Sequence, residues 1–207
     1  MILEALVVGP LQSNCYIVGC PETEKGFIID PGGDADVILE AVERLGIEIA
    51  YIFNTHEHVD HIAANRAVRE ATGARLVVHE AGRDEVEAPH AFWASMVGGV
   101  EPSQVDEAMA DGDTFEVGTL TVEVVHTPGH SPGGVCLAVD GAVFTGDTLF
   151  AGSVGRTDLP GGNMATLVRS LRRLVQLFEP ETAVYPGHRG PSTIGEERAS
   201  NPYLQGV

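Results

Sequence analysis

Apolar residues fall in short runs through the first third of the chain: Ile2–Val8, Asn14–Val18 and Gly26–Ile29, each bounded by Gly, Pro or Asn. Runs of that length between turn residues predict strands. After Asp34 the period changes. Val37, Ile38, Ala41, Val42 and Leu45 recur at helical spacing, and Asp34 offers an N-cap, so a helix through Arg44 is predicted. A strand at Ile47–Phe53, a helix from Ile62 to Ala71 and a strand at Arg75–Val78 follow. Residues 81–112 show no clear period. Within them Ala91–Val100 is apolar but interrupted by glycine, and reads as a loop over a pocket.

Strands return in the second half at Thr119–Val125, Gly134–Val139 and Ala142–Thr145. A helix is predicted from Asn163 to Phe178, with Met164, Leu167, Val168, Leu171, Leu174, Val175 and Phe178 on one face. Arg169, Arg172 and Arg173 occupy its other side and read as a solvated face. A strand at Thr182–Tyr185 and a short helix at Gly195–Ala199 close the pattern. With no repeat, low-complexity tract or linker, the expectation is one domain of mixed α and β over residues 1–207.

Composition narrows the function classes. The 207 residues suffice for one sizeable core, and 43% hydrophobic with 20% charged residues is ordinary for a globular chain. The formal charge of -18 is not ordinary. Such a field repels phosphate backbones and no basic patch offsets it, so nucleic acid is excluded as a partner. Bound divalent cations would offset part of the charge. Cys15, Cys20 and Cys136 are odd in number and lack framework spacing, which favours buried thiols in a reducing compartment. A Cys15–Cys20 zinc pair has no second pair to complete it. The first ten residues carry no basic region and break at Pro10, unlike a secretion signal, and no apolar run nears the roughly 20 residues of a membrane span. A soluble cytoplasmic protein without a membrane partner is expected; the sequence does not encode an oligomeric state that can be read.

The chemistry is concentrated in four loops, each predicted to follow a strand: T-H-E-H-V-D-H (55–61), T-P-G-H (127–130), T-G-D (145–147) and P-G-H (186–188). Strand-end loops on a rigid sheet are common places for a site, and the Gly before His130, Asp147 and His188 would permit backbone angles that bulkier residues resist. In an extended stretch His56 and His58 point the same way, while Asp60 and His61 lie beyond, where the chain must turn. His56, His58 and His130 are enough for one ion, Asp60, His61 and His188 for another, with Asp147 available as a bridge. The zinc-protease pattern H-E-x-x-H fails, because position 60 is Asp60 rather than histidine. His79, His90 and His126 stand alone and read as ordinary structural histidines.

The combination H-x-H-x-D-H, T-P-G-H, T-G-D and P-G-H resembles the metallo-β-lactamase superfamily over nearly the whole chain. The resemblance implies an αββα four-layer sandwich of the α+β class. It implies the same partition of ligands, with Asp147 bridging two divalent ions, zinc first and iron or manganese as alternatives. It also gives Asp30, in I-I-D-P-G-G, a supporting role beside the metal loops; by sequence alone Asp30 is as easily a turn residue.

Within the superfamily, F-A-G-S-V-G-R-T-D-L-P-G-G (150–162) and N-P-Y-L (201–204) look like glyoxalase II and its short relatives. Many true β-lactamases of this fold carry cysteine at the place of Asp147, which argues against a lactamase. Arg156 stands where glyoxalase II has a basic residue contacting substrate, though pairing with Asp158 is an equally simple structural role. The helical segment that supplies much of the glutathione pocket in glyoxalase II is not expected in the nineteen residues after His188, so S-lactoylglutathione stands as the example substrate while glutathione recognition is left open and a broader or different scope is allowed. The activity implied is hydrolysis of a small-molecule thioester or related acyl compound by metal-activated water, which Asp60 orients. Two rivals remain. A mononuclear-iron persulfide dioxygenase would use the positions of His56, His130 and Asp147, and a lactone or ester hydrolase would share every motif. A non-catalytic, metal-stabilised module fits less well, since structural zinc sites are closed and cysteine-rich.

Overall fold

Two six-stranded sheets face each other across a common core in the computed structural model, which describes residues 1–205. The first sheet runs in chain order: β1 (Ile2–Val8), β2 (Ser13–Gly19), β3 (Lys25–Ile29), β4 (Glu48–Phe53), β5 (Arg75–His79) and β6 (Glu107–Met109). β1 to β3 pair antiparallel through tight turns. From β3 to β6 the pairing is parallel, because helices carry the chain back between strands. These are α1 (Ala35–Leu45), α2 (Val59–Ile62), α3 (Asn65–Thr72), α4 (Arg83–Glu87) and α5 (Ala91–Ser95).

The second sheet contains β7 (Thr114–Val117), β8 (Leu120–His126), β9 (Val135–Val139) and β10 (Ala142–Gly146). A small hairpin, β11 (Leu149–Phe150) with β12 (Ser153–Val154), and α6 (Met164–Leu177) come next. The sheet is completed by β13 (Ala183–Pro186) and β14 (Ser192–Thr193), before α7 (Ile194–Ser200). Its strand order is β14-β13-β10-β9-β8-β7.

The two-residue period of the strands divides the apolar side chains between layers. Tyr16 and Val18 of β2 point into the inter-sheet core, while Cys15 and Ile17 point the other way. Leu137 and Phe144 likewise face the first sheet, while Cys136 and Val143 face outward. Ile38, Ala41 and Val68 of α1 and α3 cover the outer face of the first sheet. Leu167, Leu171, Leu174 and Ile194 of α6 and α7 cover the second. The result is the four-layer αββα sandwich. Cys15 and Cys20 fall on opposite faces of the first sheet, so they do not form a zinc pair; both are buried free thiols.

Several elements differ from the sequence pattern. Asp34 precedes α1 but sits in the left-handed region with no side-chain cap; its carboxylate instead accepts the Gly9 N–H at 2.8 Å. The helix predicted from Ile62 to Ala71 is two helices, α2 and α3. The Ala64 N–H leaves the helical ladder to bond Pro31 O at 2.9 Å, and the break turns Asp60 and His61 inward. β7 was not predicted, since a four-residue alternation with only Phe115 and Val117 buried is too short to stand out. Ala91–Val100 begins with the helical turn α5, whose N-terminus His90 caps through its ring. Arg169 and Arg172 are solvated, but Arg173 reaches across to Asp111 with two bonds of 2.7 and 2.8 Å. Among the described residues no helix is long and apolar enough to cross a membrane.

Candidate metal centre

Strand direction brings the four motif loops together. β8 and β10 both run antiparallel to β9, and β13 runs parallel to β10, so all three end at one edge of their sheet. β4 ends against that edge, where the Val135 N–H donates to Thr55 O at 2.8 Å. β2 is stitched to the His188 loop as well: Asn14 N–H donates to Gly187 O at 2.7 Å, and Tyr16 O–H to Pro186 O at 2.7 Å.

The seven sequence candidates meet there. Ligand atoms of His56, His58 and His130 lie within 4.8 Å of one another, as do those of Asp60, His61 and His188. Asp147 stands between the groups. Its Oδ1 is 3.5 Å from His61 Nε2, and its Oδ2 is 3.5 Å from His130 Nε2 and 3.7 Å from His188 Nε2. Asp60 Oδ2 is 3.5 Å from His61 Nε2 and 3.2 Å from His188 Nε2. Two ligands bound about 2.1 Å from one tetrahedral ion stand roughly 3.4 Å apart, so these spacings suit coordination.

The stronger test is what is left unsatisfied. His56 Nε2, His61 Nε2 and Asp147 Oδ1 are buried and have no hydrogen-bond partner among the described residues. Buried polar atoms are otherwise almost always paired. Here three of them, from both groups and the bridge, converge on one space. Divalent metal ions fit them.

The other ring nitrogens of His56, His61, His130 and His188 are hydrogen-bonded, which aims the second nitrogen of each ring at the shared space. His56 Nδ1 faces Thr55 Oγ1 at 3.1 Å, and Thr55 Oγ1 in turn donates to Asp30 Oδ2 at 2.6 Å. His61 Nδ1 donates to Asp30 Oδ2 at 3.0 Å, His130 Nδ1 to Arg156 O at 2.7 Å, and His188 Nδ1 to Gln12 O at 3.3 Å. Such partners fix the tautomer and aim the ring. Asp30 also accepts the Thr55 N–H at 2.7 Å. Its oxygens are therefore committed to Thr55 and His61, so although Asp30, His56 and His61 form a third close group, Asp30 braces the ligands.

Electrostatics separate the two groups. Burial holds His56, His58 and His130 below the ordinary imidazole range, His58 to about 3, so these rings are neutral lone-pair donors at pH 7. His61 is as deeply buried, but Asp60, Asp147 and Asp30 outweigh that and raise it to about 10. For Asp60 burial opposes the charge, yet His61 and His188 prevail and hold the carboxylate well below its usual range.

The glycines act in two ways. Gly129 and Gly146 have positive φ, 137° and 47°, as the motif reading anticipates. Gly187 does not. It is required by proximity instead: a Cβ there would overlap Asp147 Oδ1 and come within 2.8 Å of His61 Cε1.

Arg156 lines the cavity over the ligands, with its guanidinium engaged by Asp158 through two bonds of 2.7 Å. The structural pairing offered by the sequence is therefore present, and the Arg156 backbone orients His130. Sequence reasoning missed Thr55, whose value lies only in its contacts, and Glu57. Glu57 is buried, accepts from Ser131 Oγ at 3.1 Å and ties the His56–His58 loop to the loop after His130. The Ala91–Val100 segment does reach a pocket, as its apolar character suggested: Trp93 of α5 and Met96 just after it line the cavity. His79 and His126 stack on each other at 4.0 Å, outside the seven.

A family model described as the metallo-beta-lactamase superfamily matches residues 8–188. The chain belongs to the metallo-beta-lactamase superfamily. Membership brings a dimetal site and, in outline, metallo-hydrolase chemistry. Among similar superfamily proteins is a probable metallo-hydrolase, YqgX, of Bacillus subtilis, 34% identical over 96% of this chain and 95% of its own. Another is the hydroxyacylglutathione hydrolase GloC of Haemophilus influenzae, 30% identical over 99% and 98%. Solved structures with this fold include the BLEG-1 B3 metallo-beta-lactamase, with TM-score 0.90 and 33% identity, covering 99% of this chain and all (100%) of that one. TTHA1623 in a di-iron-bound form has TM-score 0.86 and 36% identity, covering 97% and 100%. ETHE1 from Myxococcus xanthus has TM-score 0.84 and 33% identity, covering 100% and 85%.

Proposed function

We propose that this superfamily member hydrolyses thioesters, or closely related acyl compounds with a good leaving group, at a two-metal centre. His56, His58 and His130 would hold one ion, Asp60, His61 and His188 the other, with Asp147 shared; zinc is the first candidate, and the di-iron relative makes iron the second. Divalent ions bound there supply Lewis acidity, polarising a carbonyl and bringing the pKa of a water toward about 7.

The chain's own groups do the rest. Asp60 remains ionised and lines the cavity, so its free acceptor capacity can orient the attacking water by taking a hydrogen bond from it. Asp30 keeps His61 aimed, and Thr55 keeps His56 aimed. Among the described residues the cavity wall contains no Lys, Tyr or Cys to protonate a departing group, and Glu57 accepts a hydrogen bond from Ser131. A thiolate leaves without such help, whereas an amine does not, which supports a thioester over a β-lactam.

The observation that carries this reading is His61 Nε2, buried and unpaired between Asp60 and Asp147. A mononuclear dioxygenase site built on His56, His130 and Asp147 leaves that atom unexplained. The test is a metal count on purified protein with hydrolysis assays on S-lactoylglutathione, simpler thioesters and a β-lactam. Two ions per chain and thioester turnover lost on chelation are expected. One iron with oxygen consumption, or β-lactam turnover exceeding every thioester, would overturn the proposal.

A further inference from the structure

The metal ligands floor a cavity of about 620 Å³ whose walls have a different character. Leu11 of the β1–β2 turn, Trp93 of α5, Met96 just after it and Leu159 of the loop after β12 all line the cavity. Leu11 and Met96 are 41% and 50% exposed. Large apolar side chains left in water around one opening mark a surface meant to be covered, and a cavity of this size is in the range of small-molecule sites.

The charges around the opening carry one sign. Asp84 and Glu85 line the same wall as α5, and the chain as a whole is at -18. Among the described residues Arg156 is the one cationic side chain of the wall that is not a histidine, and Asp158 already pairs with it. A carboxylate held at the rim, away from the metal ions on the floor, would meet Asp84 and Glu85, and Arg156 could partner it only by leaving Asp158.

We propose that the substrate half lying against α5 is hydrophobic and carries no negative charge: the preferred thioester is a neutral one with an extended aliphatic or aromatic acyl group, and the glutathione dianion is disfavoured. This deepens the thioesterase reading and rests on it.

Two measurements separate the ideas. The first uses the metal-loaded enzyme with acetyl and hexanoyl thioesters of N-acetylcysteamine, which are neutral, and the hexanoyl thioester of 3-mercaptopropionate, which is anionic. Hexanoyl should exceed acetyl in kcat/KM by about thirtyfold. The neutral thiol should exceed the anionic one by about tenfold at low salt, the gap closing as salt screens it. Trp93→Ala should reduce the chain-length factor to a few-fold. The double change Asp84→Asn with Glu85→Gln should shrink the charge factor and leave the chain-length factor intact. Equal rates for acetyl and hexanoyl, or fastest turnover of S-lactoylglutathione, would overturn this inference and leave the thioesterase reading standing.

The second measurement needs no turnover. Trp93 is the only tryptophan in the chain, so its emission reports the wall directly. Neutral S-hexyl-N-acetylcysteamine should shift that emission at a concentration about tenfold lower than S-hexylglutathione. If no thioester is hydrolysed yet this order holds, the function proposal fails and the pocket's preference stands; the reverse order, or no shift with either, overturns the preference.

Discussion

Asp30 Oδ2 accepts a 3.0 Å hydrogen bond from His61 Nδ1, and through it a residue at the end of β3 fixes a ring delivered by the loop after β4. Parallel pairing of β3 with β4 brings Asp30 beside the start of that loop. Asp30→Asn can keep the left-handed backbone of that position, φ 51°, but turns an acceptor into a donor toward His61. Affinity for one of the two ions should fall by about tenfold to a hundredfold with little change for the other, read by competition with a chromophoric chelator.

Asp147→Ala removes the group that touches both ligand sets. Metal content should drop from two ions to one or fewer, and thioester hydrolysis by at least about a hundredfold. Elemental analysis on the same preparation used for the assay checks both. Retention of two ions would show that the bridge is dispensable.

Metal binding should depend on pH at one group and not the other. His61 is raised to about 10, so loading the Asp60, His61 and His188 group must displace its proton, and affinity there should rise about tenfold per pH unit between about pH 7 and pH 9. His58 is held at about 3, so affinity at the group with His56 and His130 should be flat over the same range. The stability of the metal-free protein carries the same asymmetry. His61's stabilising contribution is full below the unfolded value of about 6.5 and is lost as pH rises through about 10. His58 must stay neutral in the fold, so its effect is to lower stability as pH falls from about 6.5 toward about 3. Calorimetric titration in buffers of different ionisation enthalpy measures the proton released.

Gly187→Ala adds a methyl where Asp147 and His61 lie against the backbone. Both ligands should be displaced, with metal affinity and turnover falling while circular dichroism is retained. A variant with normal metal content would show that the loop can yield.

Leu171→Ala tests the outer layer instead of the site. Leu171 is fully buried between α6 and the second sheet, and the cavity left should cost about 2–5 kcal/mol in denaturant unfolding. The metal-free protein is the right sample, since bound ions add their own stabilisation. Turnover of the folded, loaded variant should be unchanged.

How much of this was present in the chain before it folded can be followed residue by residue. The seven ligand candidates were legible because metal sites reuse a few side-chain types at spacings set by strands and tight loops, and because such residues have no bland reason to cluster. The long elements were legible for a similar reason: α6 and the β2, β9 and β10 strands bury whole faces, so their periods are clean. The supporting residues were not. Thr55 and Glu57 are common loop residues whose roles consist of contacts with strands far away in sequence, and no local pattern records a contact; the supporting role of Asp30 came from the family resemblance and is seen in its bonds to Thr55 and His61. The break between α2 and α3 was equally invisible, because the hydrogen bond that makes it comes from Pro31. The sequence by itself thus determined the chemistry available, with Asp147 as the candidate bridge, and the order of strands and helices. The tertiary structure alone decided that the strands form two facing sheets, which groups aim the rings of His56, His61, His130 and His188, and what lines the opening, because those depend on distances between strands, which only packing sets.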